Sequence, residues 1–101
     1  MTLVVKSPVW DDLRAIGGLI AKNRPAAAHR FFAASKKTFA LLAAHPGLGR
    51  LRSFSYPGIR SFPIPEFRKY IVFYLPRQTE VQILAVLHGA RDLTALVEER
   101  L

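Results

Sequence analysis

Val81-Gln82-Ile83-Leu84-Ala85-Val86-Leu87-His88-Gly89-Ala90-Arg91-Asp92 is the stretch that decides the architecture. Val81, Ile83, Ala85 and Leu87 alternate onto one face, and Leu84 and Val86 keep the second face apolar too. A strand that is apolar on both sides belongs in the middle of a sheet with both faces covered. Gly89 then frees the backbone to turn, and Asp92 is placed to cap a short final helix. His88 and Arg91 leave the sheet where a buried strand reaches the surface, which makes both candidate site residues.

Working backwards, Pro76-Arg77-Gln78-Thr79 is a turn that joins this strand to Phe67–Leu75. In that strand Arg68, Tyr70, Val72 and Tyr74 share one face, and Lys69, Ile71, Phe73 and Leu75 share the other. Ile59 to Ile64 is a third strand, and Pro63 within it implies an edge or a bulge. Leu48 to Pro57 reads as a loop with Arg50 and Arg52 exposed. Further back, Val9, Leu13, Ile16 and Ile20 recur at helical spacing behind Ser7-Pro8, with Ser7 as the expected cap and Asp11 and Asp12 in the first turn. Gly17-Gly18 in the middle of this helix points to close packing against a neighbour. Asn23-Arg24-Pro25 ends it and starts a second helix, whose apolar face is Ala28, Phe31, Phe32, Ser35, Phe39 and Leu42. So short a joint makes the two helices antiparallel neighbours. His45 is expected only to complement the second helix's C-terminus. Thr2 to Lys6 is a β-prone run too brief to stand alone. The expected class is α+β: an N-terminal strand, an antiparallel helical hairpin, a three-stranded antiparallel β-meander and a short C-terminal helix, in one domain spanning residues 1–101.

Half of the 101 residues are hydrophobic, which excludes disorder by composition. Fifteen Lys and Arg against seven Asp and Glu give a net charge of +8 and call for an acidic partner. No apolar run approaches the roughly 18 residues of a spanning helix. Met1 to Lys6 is too short for a secretory signal, so a cytoplasmic location is expected. Without cysteine there is no disulfide or thiolate chemistry, and the three histidines lack metal-ligand spacing. No metal or cofactor is expected.

Four stretches carry a family resemblance: Pro25-Ala26-Ala27-Ala28-His29-Arg30-Phe31, His45-Pro46-Gly47-Leu48-Gly49-Arg50, Arg60-Ser61-Phe62-Pro63 and Val86-Leu87-His88-Gly89-Ala90-Arg91-Asp92. In this order they resemble the ParE/RelE superfamily of toxins from bacterial type II toxin–antitoxin, plasmid-stabilisation-type modules, and look more like the ParE branch. The resemblance implies a helical hairpin packed on an antiparallel sheet and a ParD-like antitoxin whose acidic tail wraps the toxin. It further implies DNA gyrase as the target for a ParE-like member, or ribosome-bound mRNA for a RelE-like nuclease.

Residue chemistry separates these two. Cleaving RNA through its 2′-hydroxyl needs a base, an acid and cations for the developing phosphorane charge. The RelE-like strand pattern Tyr-Arg-aliphatic-x-Tyr is matched here by Tyr70-Ile71-Val72-Phe73-Tyr74, with Ile71 in place of the Arg, and no tyrosine follows Tyr74. An incomplete constellation argues against the nuclease and for a non-catalytic gyrase inhibitor. The alternative keeps His88 as the base, with Arg60 or Arg91 as the phosphate clamp. The plainer account of these residues is a histidine capping a strand end and an Arg91 paired with Asp92 or Glu98. Tyr70 and Tyr74 are read first as sheet packing. The expected surface for antitoxin or target is drawn from Arg14, Arg30, Lys37, Arg50, Arg52, Arg60, Arg68, Tyr70, His88 and Arg91. Its seat is the groove between the helical hairpin and the sheet.

Overall fold

In a computed structural model that describes residues 1–90 and 92–101, the chain runs β1 (Thr2–Val5), α1 (Ser7–Ala21), α2 (Pro25–Ala44), β2 (Arg50–Leu51), β3 (Arg60–Ile64), β4 (Phe67–Pro76), β5 (Glu80–His88) and α3 (Leu93–Glu98). The five strands form one sheet in the order β1-β5-β4-β3-β2. The meander β3-β4-β5 is antiparallel, as its short turns require. β1 pairs parallel to β5, from Thr2 opposite Glu80 to Val5 opposite Ile83. The run too short to stand alone is therefore stabilised as the outer strand beside β5, which lies between β1 and β4 as its apolar character demands.

The helical hairpin covers one face. Val9, Leu13, Phe31, Phe39 and Leu42 pack there against Ile64, Val72, Tyr74, Val81, Ile83 and Val86. The other face is covered by α3 and the preceding loops, with Val97 on Phe73, Ala85 and Leu87, and Phe54 bridging to Ile59, Leu75 and Leu84. Gly17 is buried where a Cβ would lie 2.7 Å from the Phe32 ring, so α1 and α2 approach closely there. Gly18 faces open space instead.

Four local expectations change. The first helix begins at Ser7 with Lys6 as its N-cap, and its first turn carries no acid. The Lys6 amide donates to the Ile83 carbonyl in the sheet, so the chain passes from strand to helix without room for a Ser7 cap. Asp92 does hold the N-cap position of α3, but its side chain makes no capping bond. Within the expected loop, Arg50 and Leu51 pair with Ser61 and Arg60 of β3. Finally, the alternation along β5 is broken. Register slips between Phe73 and Tyr74, so that Phe73 faces Ala85 while Tyr74 faces Ile83. The extra residue, Leu84, makes a bulge, and a one-residue slip exchanges the two faces beyond it. Val81 and Ile83 therefore share the hairpin face with Val86, whereas Ala85 and Leu87 join Leu84 on the α3 side.

Bulges leave backbone groups unpaired, and here side chains take them up. Asp12 of α1 accepts from the Val86 amide at 3.0 Å, and Arg100 donates to the Leu84 carbonyl at 2.9 Å. The two side chains also pair with each other, Nη2 to Oδ1 at 2.7 Å and Nη1 to Oδ2 at 2.8 Å. Hydrogen bonding to Asp12 raises the Arg100 pKa above its ordinary value. Asp12 is thus a structural clamp that ties α1, the bulge and the C-terminal residues together.

Candidate partner-binding groove

The bulge decides where the candidate site forms. By turning the end of β5 over, it places His88 opposite Tyr70 of β4. Their rings meet edge to face, centroids 5.2 Å apart at 89°. Tyr70 in turn sits edge-on against the buried Phe31 of α2 at 5.5 Å. This half-buried pair is the divide between two adjoining hollows. One, about 450 Å³, lies between α1 and the end of β5 and is bordered by Ala15, Ile16, Leu19, Val86 and Asp12. The other, about 530 Å³, is bordered by Ile20, Arg24, Arg68 and Lys69, with Glu66 as its one carboxylate among the described residues. Together they form a groove between hairpin and sheet, apolar at one end and cationic at the other.

Arg24 reaches this position because it is the N-cap residue of α2, at the joint of the hairpin. Arg68 and Tyr70 come from the same face of β4. A further hollow of about 370 Å³ continues past Glu66 along α2, where Arg30 and Lys37 flank Ala33, Ala34, Leu41 and Pro65. Glu66, at φ 71°, makes the tight turn from β3 to β4 that both hollows share.

His88 Nδ1 accepts a hydrogen bond from the Ala90 amide at 3.0 Å. An amide can only donate, so the neutral imidazole carries its proton on Nε2 and its free lone pair is already engaged. In this tautomer neither nitrogen is available to take a proton from a substrate hydroxyl. Ile71, where the nuclease pattern has an arginine, packs with Phe73 and Leu87 on the α3 side.

The remaining candidates are scattered. Arg60 is half-buried and donates from Nη1 to the Gly49 carbonyl at 2.7 Å. It stands opposite Tyr74, four residues along β4 from the Tyr70–His88 pair, or about 13 Å at strand rise. Arg52 is not a free loop cation, since its Nη1 donates to Ser61 Oγ at 3.1 Å and its guanidinium lies 5.6 Å from the Phe73 ring centre. Arg14 pairs with Asp11 on the exposed side of α1. Arg50 is exposed on β2. Arg91 lies outside the described residues, so neither its clamp role nor its pairing is placed. The groove therefore unites Arg68, Tyr70 and His88 from the sequence-derived set and adds Arg24, Lys69 and the α1 wall. Arg24 stands in the sequence as helix punctuation before Pro25, and nothing in the pattern brings it to the end of β4.

Among the described residues no group of three or more potential metal ligands comes together, and no helix is long and apolar enough to cross a membrane.

A family model described as "ParE toxin of type II toxin-antitoxin system, parDE" matches residues 3–93. Among solved structures the fold is similar to a chain of the chromosomal ParDE TA system from P. aeruginosa, with a TM-score of 0.73 at 20% identity over 87% of this chain and 95% of that one. No curated protein sequence matches significantly.

Proposed function

Because the chain belongs to the ParE toxin family of type II toxin–antitoxin systems, we propose that it is the toxin of a ParDE-type pair, that it acts by binding DNA gyrase in the cytoplasm, and that a ParD-like antitoxin neutralises it through the Tyr70–His88 groove. The observation that carries the binding mode is that His88 and Arg60, named in the nuclease alternative, are both already engaged. Arg60 is committed to a loop carbonyl some 13 Å along the sheet from His88, and the His88 lone pair is held by the Ala90 amide. A general base must lie within hydrogen-bond reach of the proton it removes, and phosphate cations must converge on the same point. His88 does not meet the first condition as it stands, and Arg60 does not meet the second; the cations that border His88 are Arg24, Arg68 and Lys69, which this reading assigns to the acidic segment.

The antitoxin part follows from charge and shape. A net charge of +8 attracts an acidic segment over long range, and the groove offers apolar wall at one end and Arg24, Arg68 and Lys69 at the other. Such a segment would set apolar side chains against Ile16 and Leu19 and carboxylates against the cations.

Expression of the chain in bacterial cells tests the target. DNA-damage signalling and filamentation, with toxicity surviving His88→Ala, is the expected outcome. Arrested translation with cut mRNA, abolished by His88→Ala in a protein that still folds, would replace this reading with the ribosome-dependent nuclease. A short neighbouring reading frame encoding an acidic protein is expected, and co-expression of its product should restore growth.

A further inference from the structure

The arginines of this chain divide by what they touch. Arg14, Arg52, Arg60, Arg77 and Arg100 each donate to a protein acceptor. Arg24, Arg30, Arg50 and Arg68 donate to none among the described residues. Of these four, Arg50 stands apart on β2. The other three border two hollows that meet at Glu66: Arg24 and Arg68, with Lys69, line one, and Arg30, with Lys37, lines the next. Five cations thus lie along one side of the molecule, and no ion pair among the described residues joins any of them to Glu66.

The acids that could neutralise this row are held elsewhere. Asp11 pairs with Arg14 and Asp12 with Arg100, Glu80 accepts from Gln82, and Glu98 accepts from Ser55. Like charges left uncompensated repel one another in the free fold, and an anionic ligand relieves that repulsion. The shape of the row says what kind of anion fits. Arg24 is the N-cap of α2 and Lys37 lies on the same helix, so the row runs for about 20 Å at helical rise. That is far longer than a single small anion. One DNA strand advances about 3.4 Å per phosphate, so the row matches about six phosphates in succession. At its head stand two neutral donors, the Tyr70 hydroxyl and the His88 Nε2–H, which border the same hollow. Guanidinium forks, ammonium groups and such hydroxyl and ring N–H donors are the usual ligands of phosphate oxygens.

We propose that Arg68, Lys69, Arg24, Arg30 and Lys37 form a track for the phosphodiester backbone of DNA. The choice of DNA rests on the gyrase reading above, which brings the chain to a target that holds a DNA segment. The track contacts backbone and not base edges, so it supplies affinity without sequence preference. The acidic segment assigned above to Arg24, Arg68 and Lys69 would compete with phosphates for the same donors. Glu66, the one carboxylate of the two hollows among the described residues, opposes the ligand.

The test titrates the full chain with a short labelled DNA duplex and with RNA of the same sequence, following fluorescence anisotropy over a range of salt. Five neutralised phosphates predict a log–log slope of about −4.5, or about 500-fold weaker binding between about 50 and 200 mM salt. Arg30→Gln, Lys37→Gln and Arg68→Gln should each make the slope shallower by about 0.9. Arg50→Gln, an equal loss of charge off the track, should leave it unchanged, and Glu66→Gln should tighten binding severalfold. All five are exposed positions, and an unchanged melting temperature checks that each variant folds. No binding to the duplex, or a slope altered as much by Arg50→Gln as by the track variants, overturns the track. Tighter binding of the RNA overturns the assignment to DNA. Failure of the gyrase reading looks different: the slopes hold, but the chain causes no DNA breaks with purified gyrase, and the track then stands without that target.

Discussion

Tyr70 and Tyr74 stand four residues apart on one face of β4, under the same two helices, and serve different ends. Tyr74 is fully buried, and its hydroxyl is used twice. It accepts from the Gly49 amide at 2.7 Å and donates to the Pro46 carbonyl at 2.8 Å. Burial raises its pKa, against the lowering influence of the Gly49 bond and of Arg60, so it stays a neutral donor. Arg60 holds the same loop by the Gly49 carbonyl. A Cβ on Gly49 would lie 2.5 Å from the Tyr74 hydroxyl and 2.8 Å from the Ser61 carbonyl, which is why only glycine fits this crossing. Tyr70, by contrast, is half-buried, touches Phe31 and His88 with its ring alone, and borders both hollows of the groove. One tyrosine fastens the loop after α2 to the sheet, and the other offers a surface. Identical residues on identical faces acquire different roles from whether a backbone loop crosses over them.

The largest expected effect separates the two directly. Tyr74→Phe removes two hydrogen bonds and leaves the buried Gly49 amide unsatisfied, which should cost about 2–3 kcal/mol. Chemical denaturation should show this as a lower midpoint at unchanged slope. Antitoxin affinity, measured where the variant remains folded, should stay close to that of the parent chain. An unaltered midpoint would mean that the loop after α2 is not anchored through this hydroxyl.

The complementary change is smaller. No protein group among the described residues bonds the Tyr70 hydroxyl, so Tyr70→Phe should alter stability by less than about 0.5 kcal/mol, as is usual for surface substitutions. Removing the ring with Tyr70→Ala should weaken antitoxin binding severalfold or more, because the groove loses its dividing wall. A Tyr70→Phe variant as unstable as Tyr74→Phe would erase the distinction between the two positions.

The same contrast marks what the sequence could disclose. The two helices, the faces of β4 and the central place of β5 are legible because periodicity and two-sided apolarity follow from burial alone. The bulge in β5 is not, and the reason lies in its composition. Leu84, Ala85, Val86 and Leu87 are all apolar, so a slip of one residue leaves no polar side chain stranded and hence no signal. β2 is invisible for a different reason, since two residues of backbone pairing impose no side-chain pattern. In the site, Arg68, Tyr70 and His88 could be singled out as polar groups at strand ends. Arg60 and Arg52 could not be separated from them, because a guanidinium committed to a carbonyl or a serine hydroxyl has the same letter as a free one. Asp12 shows the converse. Its position near the helix start suggested the helix dipole, yet its carboxylate serves a backbone amide 74 residues away in sequence.

The smallest expected effect concerns a second fastening on the opposite side of the sheet, and it differs from the Tyr74 anchor in being charged. Glu98 of α3 accepts from the Ser55 amide at 2.7 Å and from the Ser55 hydroxyl, joining α3 to the loop that carries Phe54 over Phe73. These hydrogen bonds, the hydroxyl's first and the amide's next, hold the Glu98 carboxyl below its ordinary value of 4.5. A carboxyl whose pKa is lower folded than unfolded binds protons more readily in the unfolded chain. Its contribution is therefore fully present above the ordinary carboxylate range and is lost as pH falls through the depressed folded value. Glu98→Gln should lower the melting temperature slightly at pH 7, and the gap to the parent chain should narrow as pH drops below about 4.5. The gap produced by Tyr74→Phe has no titrating partner in that range and should persist over the same interval. If acid closes both gaps together, the Tyr74 anchor has a carboxylate behind it after all. If it closes neither, the Ser55 contact does not distinguish the charged from the neutral form of Glu98.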